Sequence, residues 1–172
     1  MTKQESVIYV PLTKLDPVLA YISQAYDQVR SPDCLKAHMT LQYPWLEKEG
    51  VTREVMNDLR TLFKDQTSFN FQLTTAWFGD SVLILKPLDP QPFIEMTQAI
   101  LRTWPDYPYY GGDYDEIEPH VTLAYGQAED LKQIEDYISP LLEASYRCTH
   151  LEVATGIAGQ MEYFDRIDLE VE

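Results

Sequence analysis

The sequence predicts an α+β fold, and three observations carry that prediction. Segments with apolar residues at helical spacing alternate with short runs rich in β-branched and aromatic residues. Two pairs of those runs are joined by turn residues, as in hairpins, where a parallel sheet would need crossover helices. One six-residue phrase, "HMTLQY" from residue 38, returns as "HVTLAY" from residue 120, each time between two helical segments.

Each element has a local reason. "SVIYVPL" (6–12) is a β-branched run stopped by Pro11 and reads as a first strand. Asp16-Pro17 opens a helix with Val18, Leu19, Ile22, Tyr26 and Val29 on one side, and Ser31-Pro32-Asp33 breaks it. "HMTLQYP" (38–44) is a strand ended by Pro44. Thr52 starts a second helix bearing Val55, Met56, Leu59, Leu62 and Phe63, with Glu54 suited to the positive end of its dipole. "FNFQLTTAWF" (69–78) alternates as one strand and turns at Gly79-Asp80 into "VLILKPL" (82–88). A third helix runs from Asp89-Pro90 to Trp104 with Phe93, Ile94, Met96, Thr97, Ile100 and Leu101 at helical spacing. Residues 105–119, "PDYPYYGGDYDEIEP", form a long Pro/Gly/Tyr loop of the kind that often carries function. "HVTLAYG" (120–126) is the next strand, and 128–144 is a fourth helix with Leu131, Ile134, Ile138 and Leu141 on one side. The chain closes in a hairpin around Gly159-Gln160.

Composition narrows the function. A chain of 172 residues suits one domain, 1–172, and 45% apolar content is enough for it to fold unaided. No apolar run approaches the ~20 residues that span a bilayer, and the start "MTKQESVIYVPL" lacks signal-peptide character, so a cytoplasmic protein with no membrane partner is expected. Cys34 and Cys148 make neither a disulfide framework nor a metal-ligand spacing, and read as small inert thiols. A net charge of −15 without a basic cluster argues against long nucleic acid as a partner. A small anion in a cleft is still compatible, because surface charge is screened over about 8 Å. The sequence does not fix the oligomeric state; a monomer is expected.

The repeated phrase carries the chemistry. Side chains alternate along a strand, so His38 and Thr40 emerge on one face and Met39 and Leu41 on the other, and His120 and Thr122 likewise oppose Val121 and Leu123. If the two phrases face each other, two imidazoles and two hydroxyls converge. In-line cleavage of a phosphodiester needs one group to take a proton from the attacking oxygen and another to protonate the leaving oxygen. Histidine does either near neutrality, and threonine hydroxyls donate to non-bridging oxygens. The alternative is a metal site built on the two histidines. The nearest acids, Glu47 and Glu118, show no HExxH-type spacing, so no metal and no other cofactor is expected. His150, outside any such phrase, reads as a surface residue of the closing hairpin. There is no GxxxxGK[ST], GxGxxG or GxSxG.

At "HMTL" and "HVTL" the sequence resembles the two-histidine (2H) phosphoesterase superfamily, and more closely the bacterial 2'-5' RNA ligase family. Its first motif continues into Tyr-Pro, as in "HMTLQYPW", and its second follows a Pro/Tyr/Gly loop, as in "WPDYPYYGGDYDEIEPHVTLA". The resemblance implies a bilobal fold of two pseudo-symmetric lobes, with antiparallel sheets around a central cleft and helices outside. It implies metal-independent hydrolysis of a small 2',3'-cyclic phosphate or 2'-5'-linked nucleotide, with His38 and His120 as the acid–base pair and Thr40 and Thr122 as phosphate binders. Members that process tRNA ends surround the cleft with basic residues, whereas Lys36 is the only base close to either phrase here, which favours a small nucleotide or cyclic phosphate. Tyr9, Trp45 and Tyr110 are candidates to stack on its base. Degradation of a cyclic oligonucleotide signal, a non-catalytic nucleotide-binding module and RNA 2'-5' ligation are the alternatives.

Overall fold

The computed structural model describes residues 4–26, 29 and 35–171. The strands are β1 (Glu5–Pro11), β2 (His38–Gln42), β3 (Phe69–Phe71), β4 (Leu73–Phe78), β5 (Val82–Pro87), β6 (Val121–Tyr125), β7 (Tyr146–Cys148), β8 (His150–Ile157) and β9 (Gln160–Asp168). The helices are α1 (Asp16–Ala25), α2 (Arg53–Leu62), α3 (Gln91–Thr103) and α4 (Ala128–Ile138). This is the expected α+β class. One lobe holds a four-stranded sheet in the order β2-β1-β8-β9, the other a three-stranded sheet in the order β4-β5-β6, and all pairings within them are antiparallel.

Each repeated phrase forms the edge strand of its own sheet, β2 in one and β6 in the other. The two strands share an irregularity. Tyr9 lies opposite Thr40 and Ile8 opposite Gln42, so Leu41 has no partner; Ile84 lies opposite Thr122 and Leu83 opposite Ala124, so Leu123 has none. A bulge at the leucine of each phrase therefore shifts the side-chain alternation by one residue. The consequence is an identical burial pattern: positions one, three and six of each phrase are half-buried, and positions two, four and five are buried.

Several local expectations are corrected. The single strand over 69–78 is divided at Gln72, because β3 pairs with β7 while β4 pairs with β5. The first helix ends at Ala25; Val29 is still buried, but beyond the helix, its N–H reaching the Tyr26 carbonyl at 3.1 Å. The predicted break at Ser31-Pro32-Asp33, and Cys34, lie outside the described residues. The fourth helix stops at Ile138, since Pro140 cannot donate within a helix, and Leu141 is 53% exposed instead of packed. The closing hairpin turns at Ala158-Gly159, with Ile157 opposite Gln160. His150 is half-buried, with its Nε2 3.3 Å from Glu152 Oε1, and is not a free surface residue. Cys148 is buried, and burial pushes its thiol up to about 12, as expected of an inert cysteine.

The core explains how the bulge is tolerated. One apolar cluster joins both sheets through Val10, Met39, Leu41, Leu83, Leu85, Val121 and Leu123. A bulged residue leaves a backbone carbonyl outside the ladder, and a buried carbonyl needs a donor. Buried Thr97 of α3 supplies it, its hydroxyl donating to the Leu41 carbonyl at 3.0 Å. Replacing it in Thr97→Val keeps the shape and orphans that carbonyl, which should cost about 1–3 kcal/mol. A urea denaturation midpoint unchanged from wild type would show that the bulge does not depend on this bond.

Candidate active site

The bulges decide which side chains meet. His38, Thr40 and Tyr43 from β2 and its following turn face His120, Thr122 and Tyr125 across a cleft of about 270 Å³, with Tyr110 of the 105–119 loop also in its wall. A second chamber of about 380 Å³ adjoins it and shares Tyr110, His120, Thr122 and Tyr125.

The two histidines are held alike. Nδ1 of His38 is 2.8 Å from the Lys36 carbonyl, and Nδ1 of His120 is 2.7 Å from the Glu118 carbonyl. A carbonyl only accepts, so Nδ1 carries the proton in each ring. Nε2 is then the nitrogen left for chemistry in the cleft. Each ring also rests edge-on against an aromatic: His38 against Tyr9 at 5.4 Å between centroids, and His120 against Phe78 at 4.8 Å.

Their outer neighbours differ. The Tyr9 hydroxyl donates to Glu152 Oε2 at 2.7 Å, and burial together with that carboxylate drives its phenol far above the ordinary range. Behind Phe78 stands Lys86, its Nζ 5.3 Å from the ring centroid and 3.3 Å from Glu118 Oε2. Burial lowers both imidazole pKa values. For His38 the bond to the Lys36 carbonyl works against that and the charge of His120 adds to it; for His120 the Glu118 carbonyl and carboxylate work against it and Lys86 adds to it.

Of the residues singled out from sequence, His38, Thr40, His120, Thr122 and Tyr110 line the same cleft, and Tyr9 and Trp45 do not. Tyr9 is 4% exposed behind His38, where it can support the imidazole but offers no face to a ligand. Trp45 is 2% exposed and packs against Trp104 at 5.1 Å, so it belongs to the core. Tyr110 stands with φ 47°. Burial raises its phenol pKa, and the neighbouring Thr40 hydroxyl opposes the rise.

Sequence reasoning missed Tyr43 and Tyr125. Strict alternation sends positions one, three and five of each phrase to the cleft, whereas the bulge sends position six. The signal was present in the repeat itself, since both phrases end in Tyr. Gln42, turned inward by the same shift, donates through Nε2 to the Tyr107 carbonyl at 2.6 Å and so ties the 105–119 loop to β2. Among the described residues no group of three or more His, Cys, Asp or Glu side chains is arranged to hold a metal ion.

Comparison with known proteins agrees on the fold. The sequence model of a family described as the 2'-5' RNA ligase superfamily matches residues 13–159. No curated protein matches the chain. Among solved structures, TT0787 of Thermus thermophilus aligns with a TM-score of 0.65 at 14% identity, over 98% of this chain and 99% of that one. E. coli LigT complexed with 3'-AMP aligns with a TM-score of 0.62 at 16% identity, over 97% and 98%. Usb1 of Kluyveromyces marxianus aligns at 0.51 and 12% identity, over 98% and 99%.

The lowered imidazole pKa values have a thermodynamic counterpart. The unfolded chain takes up protons near the ordinary histidine value of 6.5, before the folded chain does. Stability due to these rings is therefore full above that pH and is lost as pH falls through the lower folded values. Between pH 7.5 and pH 5.5 the melting temperature of wild type should fall further than that of the His38→Asn/His120→Asn double variant. Parallel pH curves would show that the imidazoles are not held neutral.

Proposed function

Because the chain belongs to the 2'-5' RNA ligase superfamily of two-histidine phosphoesterases, we propose that it is a metal-independent phosphodiesterase of the cytoplasm that hydrolyses a small 2',3'-cyclic phosphate or 2'-5'-linked nucleotide. The observation that carries this reading is the matched pair of imidazoles, each with Nδ1 occupied by a backbone carbonyl and both lining one cleft. That E. coli LigT has been crystallised with 3'-AMP, with ATP and with NADP+ supports a small nucleotide as the ligand.

In the reaction proposed, a phosphate lies between the rings. The neutral Nε2 of one histidine accepts a proton from the attacking water as its oxygen bonds to phosphorus. The protonated Nε2 of the other gives its proton to the ribose oxygen as the P–O bond breaks. One proton enters and one leaves, so the pair ends with its protonation states exchanged and is reset by solvent. Thr40 and Thr122 donate to the non-bridging oxygens, where negative charge is held in the transition state. An anionic phosphate also raises the proton affinity of the imidazoles beside it, which supplies the one protonated ring the reaction needs.

His38→Ala and His120→Ala should each lower kcat/KM on a 2',3'-cyclic nucleotide by at least about a hundredfold with the fold intact by circular dichroism. Thr40→Val and Thr122→Val should each lower it by about tenfold or more, and EDTA should leave it unchanged. Since both imidazoles titrate below the ordinary value of 6.5, the bell-shaped pH profile of kcat/KM should peak on the acid side of that value. Full turnover in either histidine variant, or loss of turnover with EDTA, rejects the assignment. Mass spectrometry of a panel of cyclic and 2'-5'-linked nucleotides, with an RNA-end ligation assay beside it, separates hydrolysis from ligation.

A further inference from the structure

The two flanks of the cleft are chemically unlike. Towards the first sheet the wall is aliphatic, formed by Val7, Leu35, Ala158 and Met161. Towards the second sheet the adjoining chamber is lined by the aromatic residues Phe78, Tyr109, Tyr110 and Tyr114, together with the acidic residues Glu116 and Glu118. A phosphate between His38 and His120 therefore has a place for a flat aromatic substituent on one side only. Aromatic walls take a heterocycle by stacking.

The carboxylates decide which heterocycle. A carboxylate accepts hydrogen bonds and cannot donate, so it favours an edge rich in N–H. Guanine presents two adjacent N–H donors on its Watson–Crick edge, matching two carboxylate oxygens as an arginine fork does. Adenine and cytosine offer one donor beside an acceptor, and uracil places its N–H between two carbonyls that a carboxylate repels. Among the described residues no Lys or Arg lines the chamber, and Lys86 beside it is paired with Glu118, so a second phosphate entering it would meet like charge. Glu118 is engaged by Lys86 at 3.3 Å, which leaves Glu116 to face the base.

We propose that this chamber binds the guanine of a nucleotide carrying a single phosphate, with Tyr110 and Tyr114 as stacking rings and Glu116 accepting from guanine N1–H and N2–H. The proposal rests on the reading of the adjoining cleft as a phosphodiester site, but its test does not require turnover. Calorimetric titration of the full chain with 3'-GMP and 3'-UMP should show GMP bound about tenfold more tightly, a modest factor because Glu116 is exposed. Glu116→Gln and Glu116→Ala should each bring the two affinities to within about twofold, and Tyr114→Ala should weaken both alike. Equal binding of GMP and UMP by wild type, binding of neither, or a preference that survives both Glu116 substitutions in proteins with wild-type melting curves overturns the proposal. Selective GMP binding without hydrolysis of either 2',3'-cyclic GMP or a 2'-5'-linked guanylate supports the chamber assignment and overturns the phosphodiesterase reading.

Discussion

The cleft depends on one backbone constraint used twice: the bulge at Leu41 in β2 and at Leu123 in β6. Before the bulge, alternation turns His and Thr to the cleft; after it, the shifted phase brings Tyr43 and Tyr125 to the same side. Without the shift, Gln42 and Ala124 would point there and the tyrosines would face the core. The shift also buries Gln42, whose amide holds the 105–119 loop against β2 through the Tyr107 carbonyl. That loop carries Tyr110, which lines the cleft with Thr40 and walls both chambers. A local change in strand register thus fixes side chains from both sheets and a distant loop around one space.

On this symmetric frame the two imidazoles receive unequal surroundings. Both give Nδ1 to a carbonyl two residues back and both sit against an aromatic edge. Behind Tyr9, however, stands the carboxylate of Glu152, and behind Phe78 the ammonium of Lys86. The phenol of Tyr9 is held by its hydroxyl, while Phe78 has only its π-face for Lys86. A pair of equivalent groups would share a proton evenly. Unequal neighbours let one ring hold it in preference, which on the proposed reading would favour one assignment of acid and base over the other.

Much of this was legible in the sequence, and the exceptions have physical reasons. The repeat of His, Thr, Leu and Tyr at fixed spacing revealed the two strands and the four polar residues because alternation is a local property of extended backbone. The bulge was not legible, since it lies in how each strand pairs with its neighbour, and the donor that meets the Leu41 carbonyl, Thr97 of α3, is 56 residues away. The same blindness applied to Trp45. Its place after the first phrase suggested the cleft, but the core offered Trp104 at 5.1 Å, and burial of a large ring outweighed nearness in sequence. The division of 69–78 between two sheets was hidden for a related reason: an unbroken apolar alternation does not say with which partner each half will pair.

The charge balance gives the last step. A chain of net charge −15 with no Lys or Arg in the cleft wall among the described residues looks ill suited to a phosphate. On the proposed reading the lowered imidazole pKa values resolve this, because a buried neutral ring takes up a proton when a phosphate comes beside it. Proton and phosphate then bind together, each raising affinity for the other by the same factor. A fixed lysine or arginine would attract any anion at any pH, and it would hold the phosphate without being able to give up its proton at neutrality. On the proposed reading, a cleft lined by two neutral imidazoles and one that holds a phosphate beside a transferable proton are two states of one device, and the burial that lowers the imidazole pKa values is what separates them.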